Sequence, residues 1–135
     1  MADRILFLCP HNAAKGVIAA AYFNHFAQQS ELPLTADSAG TEPSEVVAPN
    51  VVTMLNHEGI DVSQHQPRRV NTDELAVAKR IISMGCTAEE LGIEAERIEQ
   101  WSDIPMVSKD PNGAREAIRA HVERLIAELR KRYES

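Results

Sequence analysis

Four short runs of residues along the chain predict β-strands. They cover residues 4–8, 34–38, 79–84 and, more weakly, 97–99. The strand cores, most clearly those of 4–8 and 79–84, are continuous and apolar rather than alternating, which is typical of strands that are buried on both faces of a sheet. Strands of this kind belong to parallel sheets that helices cover on both sides.

The segments between these runs show the spacing of helices. An alanine-rich helix is expected over 13–29, a second helix over 46–58 with Gly59 as its C-terminal cap, and a short helix that opens at the capping-box sequence 71–74. The last helix is expected over 112–133, after an Asp-Pro pair. Its apolar stripe consists of Ala114, Ile118, Val122, Leu125, Ile126 and Leu129.

Strands that alternate with helices indicate an α/β fold. We predict one domain over 1–135, a three-layer arrangement with a four-stranded parallel sheet and helices on both faces. Ligands of such sheets bind beyond the carboxyl ends of the strands. Cys9, Ser38 and Cys86 stand at or just after strand ends, so all three are expected near that edge.

Composition and charge narrow the function classes. The 135 residues carry a formal net charge of −6, which disfavours non-specific binding to nucleic acid. No apolar run approaches the roughly 20 residues that span a bilayer, and the first apolar run is too short for a secretory signal. The two cysteines are far apart and are expected to be reduced thiols. These features predict a cytoplasmic protein that binds neither nucleic acid nor membrane.

The loop between the first strand and the first helix has the character of an anion site. Amides at a helix N-terminus lack internal partners, and the helix dipole favours negative charge there. The same field favours a thiolate at Cys9, which is then a nucleophile toward phosphorus or arsenic. In the alternative interpretation Cys9 is a core thiol, Lys15 a solvated helix residue and Asn12 a helix cap. The candidate oxyanion-binding residues are Pro10, His11, Asn12, Ala13, Ala14, Lys15 and Gly16.

The sequence resembles the low-molecular-weight protein tyrosine phosphatase superfamily, and within it the arsenate reductases of the thioredoxin type. The signature of that family is a strand, C-x5-R-[ST] and a helix, with an asparagine three positions after the cysteine; Cys9 and Asn12 match it. The sequence His11-Asn12-Ala13 is similar to the arsenate reductase form of the loop. Further similar stretches are 37–41, 58–65, 81–86, Trp101 and the final helix.

Two residues of the loop depart from that signature. Lys15 replaces the arginine and Gly16 replaces the serine or threonine. A lysine makes one flexible contact where an arginine binds two oxygens at once. The missing hydroxyl would have donated to the thiolate, so we expect anion binding to persist and catalysis to be attenuated.

The resemblance also implies an acid and further thiols. Its general acid is an aspartate after the position of Trp101, which makes Asp103 and Asp110 candidates; Asp110 also stands where a helix N-cap belongs. Cys86 stands at the position of the second thiol of the reductases, or is a buried thiol at a strand end. Because no third cysteine exists, arsenate reduction would need an external thiol reductant.

The five histidines do not have the spacing of a metal site. We therefore expect neither a metal nor another cofactor.

Three functions remain open. The first is an attenuated enzyme of the arsenate reductase or phosphatase type that uses Cys9 on arsenate, phosphate or a phosphorylated substrate. The second is a regulatory module that binds oxyanions without turnover. The third is a cysteine phosphotransfer carrier that a partner protein phosphorylates on Cys9.

Overall fold

A sheet of four parallel strands forms the centre of the computed structural model, which describes residues 3–134. The strands are β1 (Asp3–Leu8), β2 (Leu34–Ala39), β3 (Arg80–Ser83) and β4 (Ile98–Gln100). Their order is β2-β1-β3-β4, and each neighbouring pair is parallel. The predicted four-stranded parallel sheet is confirmed.

Helices cover both faces of this sheet, as predicted. One short helix, α4 (Ala88–Leu91), was not expected from the sequence; it begins after Thr87, whose side chain accepts a hydrogen bond from the Glu90 amide. A turn of 3-10 helix over Ala95–Arg97 leads into β4. The helices are α1 (Lys15–Gln29), α2 (Pro49–Asn56), α3 (Thr72–Val77), α4 (Ala88–Leu91) and α5 (Pro111–Glu134).

Two of the helices begin later than the sequence pattern indicates. Helix α1 starts at Lys15, because Ala13 and Ala14 belong to the preceding loop. Helix α2 starts at Pro49, whose fixed φ suits the first helical turn. The expected capping box of α3 is present: Asn71 accepts from the Glu74 amide at 2.8 Å, and the Glu74 carboxylate accepts from the Asn71 amide at 2.9 Å.

Side chains alternate along β1 between two apolar layers. Ile5, Phe7 and Cys9 face the layer that holds α1, α2 and α5, whereas Leu6 and Leu8 face the layer that holds α3 and α4. All six residues of the predicted α5 stripe are buried. The strand that leads to Cys9 is therefore packed on one face against the layer of α1, α2 and α5, and on the other face against the layer of α3 and α4.

The register of the sheet brings three strand ends together. Leu8, the last residue of β1, pairs with Ala39 of β2 and with Ser83 of β3. Cys9 and Gly40 follow immediately, and the amide of Cys9 donates to the Ala39 carbonyl at 3.3 Å. Within residues 3–134, no helix combines the length and the apolar character that crossing a bilayer requires.

Candidate anion-binding site

The Cys9 thiol lies at the base of the loop that joins β1 to α1. It is only 5% exposed, and its Sγ accepts a hydrogen bond from the Gly16 amide at 3.3 Å. Gly16 is the second residue of α1, so this amide belongs to the turn that has no intrahelical acceptor. The positive end of the helix dipole is thus directed at the sulfur.

The backbone of the loop is oriented by a neighbouring segment. The carbonyls of Pro10, His11 and Ala13 accept hydrogen bonds of 2.7–2.9 Å from backbone amides in the segment 42–48. Consecutive amides without a protein acceptor are the donors that bind phosphate-like anions. Within residues 3–134, the loop amides that have no acceptor are those of His11, Ala13, Ala14 and Lys15.

Asn12 fixes the turn of the loop from inside the protein. Its φ of 49° lies in the left-handed region, which asparagine tolerates better than most residues, and its side chain is fully buried. Its Nδ2 donates to the Ser38 carbonyl at 3.4 Å, and the Ser38 hydroxyl lies 3.4 Å from Nε2 of His65. Burial is the main cause that lowers the pKa of His65. The buried Oδ1 of Asn12 has no hydrogen-bond partner among the described residues.

Gly40 allows the end of β2 to lie against the loop. A Cβ at this position would come within 2.4 Å of the Pro10 carbonyl oxygen and 2.5 Å of the Cys9 carbonyl oxygen. Both are backbone atoms, which move less freely than the end of a side chain. The close approach therefore requires glycine.

The Lys15 side chain is directed at the segment after β4. Its Nζ donates to the Ile104 carbonyl at 3.2 Å, although Lys15 also lines the cavity beside Cys9. The lysine replaces the expected arginine at the start of α1, and its charge is engaged by a neutral carbonyl. An anion over Cys9 would compete with that carbonyl for the ammonium group.

A cavity of about 460 Å³ opens beside Cys9. Its wall consists of the loop, the end of β3, the start of α2 and the segment 106–108. No carboxylate is among the residues that line it in the described part of the chain. The lining residues are Cys9, Pro10, His11, Ala14, Lys15, Ala48, Asn50, Met84, Gly85, Met106, Val107 and Ser108.

Neither candidate acid lines this cavity. The Asp103 carboxylate is 2.8 Å from Nε2 of His121, and this contact is the main cause that lowers the pKa of Asp103. Asp110 accepts a hydrogen bond from the Gly113 amide at 3.0 Å in the first turn of α5. Asp110 is therefore the N-cap of α5, which its sequence position also suggested. A proton-donating role for Asp103 or Asp110 stays a prediction.

Cys86 is fully buried in the apolar layer that lies on the other face of the sheet from the Cys9 side chain. Its Sγ lies 3.8 Å from the Thr41 hydroxyl. Burial is the main cause that raises the pKa of Cys86, and the nearby Cys9 raises it further. A protonated buried thiol is a weak nucleophile, so this arrangement does not favour Cys86 as a second redox thiol.

Sequence reasoning missed several parts of the site. The segment 42–48, the walls formed by Met84 and Met106, and the contact between Ser38 and His65 were not expected. These residues have no common sequence spacing, because different strands and loops bring them to the sheet edge. Three signals pointed to the right place: the paired strand ends, the helix N-terminus that follows Cys9, and the resemblance of the loop to the family signature at Cys9 and Asn12.

Comparison with known proteins places this geometry in a family. A protein of Halobacterium salinarum named "Putative arsenate reductase" is 29% identical over 125 residues, which are 91% of this chain and 87% of that protein. The structure of YfkJ from Bacillus subtilis has a TM-score of 0.84 at 22% identity and covers 98% of this chain and 97% of its own. A thioredoxin-dependent arsenate reductase from Corynebacterium glutamicum has a TM-score of 0.78 at 23% identity, over 95% of this chain and 62% of its own.

The family profile of the low molecular weight phosphotyrosine protein phosphatases matches residues 4–133. This range includes the Cys9 loop, every strand end of the sheet edge and nearly all of α5. The chain therefore belongs to the low molecular weight phosphotyrosine protein phosphatase family.

Proposed function

We propose that this chain is an oxyanion-handling enzyme in which the Cys9 thiolate attacks arsenate or the phosphoryl group of a substrate. The observation that carries the proposal is the hydrogen bond from the Gly16 amide to the Cys9 sulfur, beside four loop amides that have no acceptor among the described residues. These amides supply donors for the oxyanion oxygens, and the family membership supports a nucleophilic role for the cysteine.

The first chemical step is the same for both oxyanions. A bond forms from Cys9 Sγ to phosphorus or arsenic, and the bond to the leaving oxygen breaks. Water then cleaves a thiophosphoryl intermediate and restores the thiol. With arsenate, one external thiol attacks the Cys9 sulfur, the S–As bond breaks and its electron pair leaves with arsenic as arsenite, As(III). A second external thiol then displaces Cys9 from the mixed disulfide, so that two external thiols are oxidised to one disulfide and the Cys9 thiol is restored.

An external thiol suits this chain better than an internal relay. Cys86 is buried in the opposite apolar layer, and its raised pKa keeps it protonated. The Halobacterium salinarum relative is named as a putative arsenate reductase and the Corynebacterium glutamicum structure as a thioredoxin-dependent one, which supports a reductase reaction with a separate thiol donor. Such thiols and two unpaired cysteines fit a cytoplasmic location.

We propose that turnover is slow. Lys15 offers one point charge, whereas an arginine would contact two oxygens at once. The Lys15 ammonium group also donates a hydrogen bond to the Ile104 carbonyl. Gly16 supplies its amide but no hydroxyl to the sulfur. Because no carboxylate of residues 3–134 lines the cavity, an alkoxide leaving group receives no proton from the described wall, which disfavours esters of basic alcohols.

The test compares three proteins in two assays. Arsenate-dependent oxidation of an added dithiol and hydrolysis of p-nitrophenyl phosphate are measured for the wild type, Cys9→Ser and Cys86→Ser. We expect at least one activity in the wild type, its loss in Cys9→Ser and its retention in Cys86→Ser. Activity that survives in Cys9→Ser contradicts the proposal.

A second candidate is an oxyanion-binding module without turnover. The engagement of Lys15 by the Ile104 carbonyl favours it, because the loop amides can still bind an anion while the ammonium group is drawn away from the sulfur, where it would stabilise the transition state. Binding of phosphate or arsenate to the wild type, with neither activity above the Cys9→Ser background, would support this candidate. Absence of binding would exclude both functions.

A further inference from the structure

The segment between β4 and α5 supplies the carbonyl that holds Lys15. Within the described part of the chain, residues 102–105 make no hydrogen bond between backbone groups, so neither a helix nor a strand fixes the Ile104 carbonyl. The Ile104 side chain is buried, whereas the neighbouring Asp103 side chain is exposed. Side-chain contacts of this segment therefore decide where that carbonyl lies.

Two side chains of α5 tie Asp103 to that helix. Nη2 of Arg124 lies 3.2 Å from Nδ1 of His121, and Nε2 of His121 lies 2.8 Å from the Asp103 carboxylate. A guanidinium group only donates hydrogen bonds, so Nδ1 accepts, and Nε2 carries the ring proton that is donated to Asp103. A neutral imidazole therefore satisfies both contacts. Arg124, His121 and Asp103 form one connection between α5 and the segment, the Asp103 anchor.

Packing holds the imidazole of the Asp103 anchor in place. The His121 ring is stacked on Trp101, with the ring centroids 4.5 Å apart and the planes at 17°. Trp101 in turn packs on Phe7 of β1, at a centroid distance of 5.6 Å. The imidazole thus has a defined position relative to the sheet, and it binds Asp103 outside the cavity beside Cys9.

The anchored Asp103 is an acceptor of hydrogen bonds. The bond with His121 is the main cause that lowers the pKa of Asp103, so this carboxyl group is ionised at neutral pH. An ionised carboxylate has no proton to donate. What Asp103 offers to the site is its position in the chain, next to Ile104.

The Lys15 ammonium group has two alternative partners. Its Nζ donates to the Ile104 carbonyl at 3.2 Å, and an oxyanion in the Cys9 loop would offer a charged acceptor instead. A carbonyl that is already held in place binds the ammonium group at little cost in conformational entropy, whereas a carbonyl on a mobile segment must first be ordered. The rigidity of the segment therefore sets how strongly Ile104 competes with the oxyanion.

We propose that Asp103 and His121 are positioning residues, which hold the Ile104 carbonyl where it retains the Lys15 ammonium group and thereby weaken oxyanion binding in the Cys9 loop. The inference rests on the proposed function, since it requires the loop to bind the oxyanion. Loss of the Asp103 anchor should tighten anion binding, whereas simple damage to the structure of the site would weaken it.

The test is calorimetric titration of the full chain with inorganic phosphate, which does not depend on turnover. Asp103→Ala removes the anchor, and we expect this variant to bind phosphate about two- to tenfold more tightly than the wild type does. That range corresponds to the roughly 0.5–1.5 kcal/mol of one intramolecular hydrogen bond, converted at about 1.4 kcal/mol per tenfold change in affinity.

Two further variants separate the anchor from the charge of Asp103. Asp103→Asn removes the same charge, but its amide oxygen still accepts from His121, so it should bind phosphate less tightly than Asp103→Ala. His121→Phe keeps an aromatic ring against Trp101 and removes the donor while the carboxylate stays. It should tighten phosphate binding, and the double variant with Asp103→Ala should bind no more tightly than Asp103→Ala alone.

Lys15→Met tests whether the effect passes through the lysine. Without the ammonium group the Ile104 carbonyl no longer competes with the anion for it. Asp103→Ala should therefore leave phosphate affinity unchanged in the Lys15→Met background, although it raises the affinity in the wild-type background. An equal gain in both backgrounds overturns the inference.

The remaining outcomes separate this inference from the proposed function. If phosphate binds the wild type and its affinity is unchanged or weaker in both Asp103→Ala and His121→Phe, the positioning role is wrong while the anion loop stands. Equal affinities for Asp103→Ala and Asp103→Asn also overturn it, because the effect would then be one of charge. If phosphate binds none of these proteins, the proposed function and the positioning role fall together.

Discussion

Position 16 offers a perturbation that separates crowding from chemistry. A Cβ built on Gly16 would lie 3.2 Å from Cys9 Sγ, 3.6 Å from the Phe7 carbonyl oxygen and 3.7 Å from the Cys9 amide nitrogen. Favourable contacts between non-bonded atoms lie at about 3.5–4.0 Å, so the sulfur must move by a few tenths of an ångström. Gly16→Ala introduces this crowding alone. Gly16→Ser introduces the same crowding together with a hydroxyl donor.

The difference between the two variants measures the hydroxyl. A hydrogen bond to a charged group is worth about 1.5–3 kcal/mol. At about 1.4 kcal/mol per tenfold change, that corresponds to roughly a ten- to hundredfold faster covalent step in Gly16→Ser than in Gly16→Ala. Replacement of the helical glycine by alanine also stabilises the fold by up to about 1 kcal/mol, and serine shares part of this gain. The rates, rather than the stabilities, therefore carry the comparison.

The assay is single-turnover release of p-nitrophenol with enzyme in excess, which isolates the attack by Cys9 from later steps. Urea unfolding of both variants gives the stability control. Equal rates for Gly16→Ser and Gly16→Ala would refute the reasoning, since the hydroxyl would then add nothing to the thiolate. If Lys15→Arg alone releases p-nitrophenol faster than the wild type, the slow turnover is due to the missing two-oxygen contact of an arginine.

Three further predictions concern the surroundings of the loop. Gly40→Ala should lower the free energy of unfolding by about 1–3 kcal/mol or more, because its Cβ meets the Pro10 carbonyl oxygen at 2.4 Å; an unchanged free energy in urea unfolding would contradict the steric account. Asp110→Ala should cost about 0.5–2 kcal/mol in the same measurement through the lost helix cap, with turnover unchanged; a large loss of turnover would instead support an acid role. Burial lowers the pKa of His65 below its usual value of 6.5, so the unfolded chain binds this proton more readily and stability should fall as the pH drops below about 6.5. Free energies of unfolding from urea titrations at about pH 5–8 should depend less on pH in His65→Asn than in the wild type. The same pH dependence in both proteins would exclude His65 as its source.

The sheet and the final helix were predictable from the sequence because each depends on a local pattern. Continuous apolar runs specified β1 and β3, and the apolar stripe along α5 repeats at helical spacing. Helix α4 was missed because it has four residues and a single buried apolar side chain, Leu91. Its capping box at Thr87 was the available signal.

The site was predictable only in its position. Parallel strands end at the same edge, so Cys9 and Gly40 are neighbours in space for a topological reason. The orientation of Lys15 toward Ile104 depends on a segment 89 residues away, and no local pattern encodes that contact. The same is true of Asp103, whose partner His121 lies 18 residues further along the chain, in α5.

The contact between Lys15 and the Ile104 carbonyl gives the chain an internal optical reporter. Trp101, its single tryptophan, lies three residues before Ile104, with ring centroids 5.6 Å from Phe7 and 4.5 Å from His121. When an anion draws the ammonium group away from Ile104, the segment that carries this indole loses one of its anchors. Tryptophan emission should therefore follow occupancy of the Cys9 loop without a label, and Lys15→Met should uncouple the two.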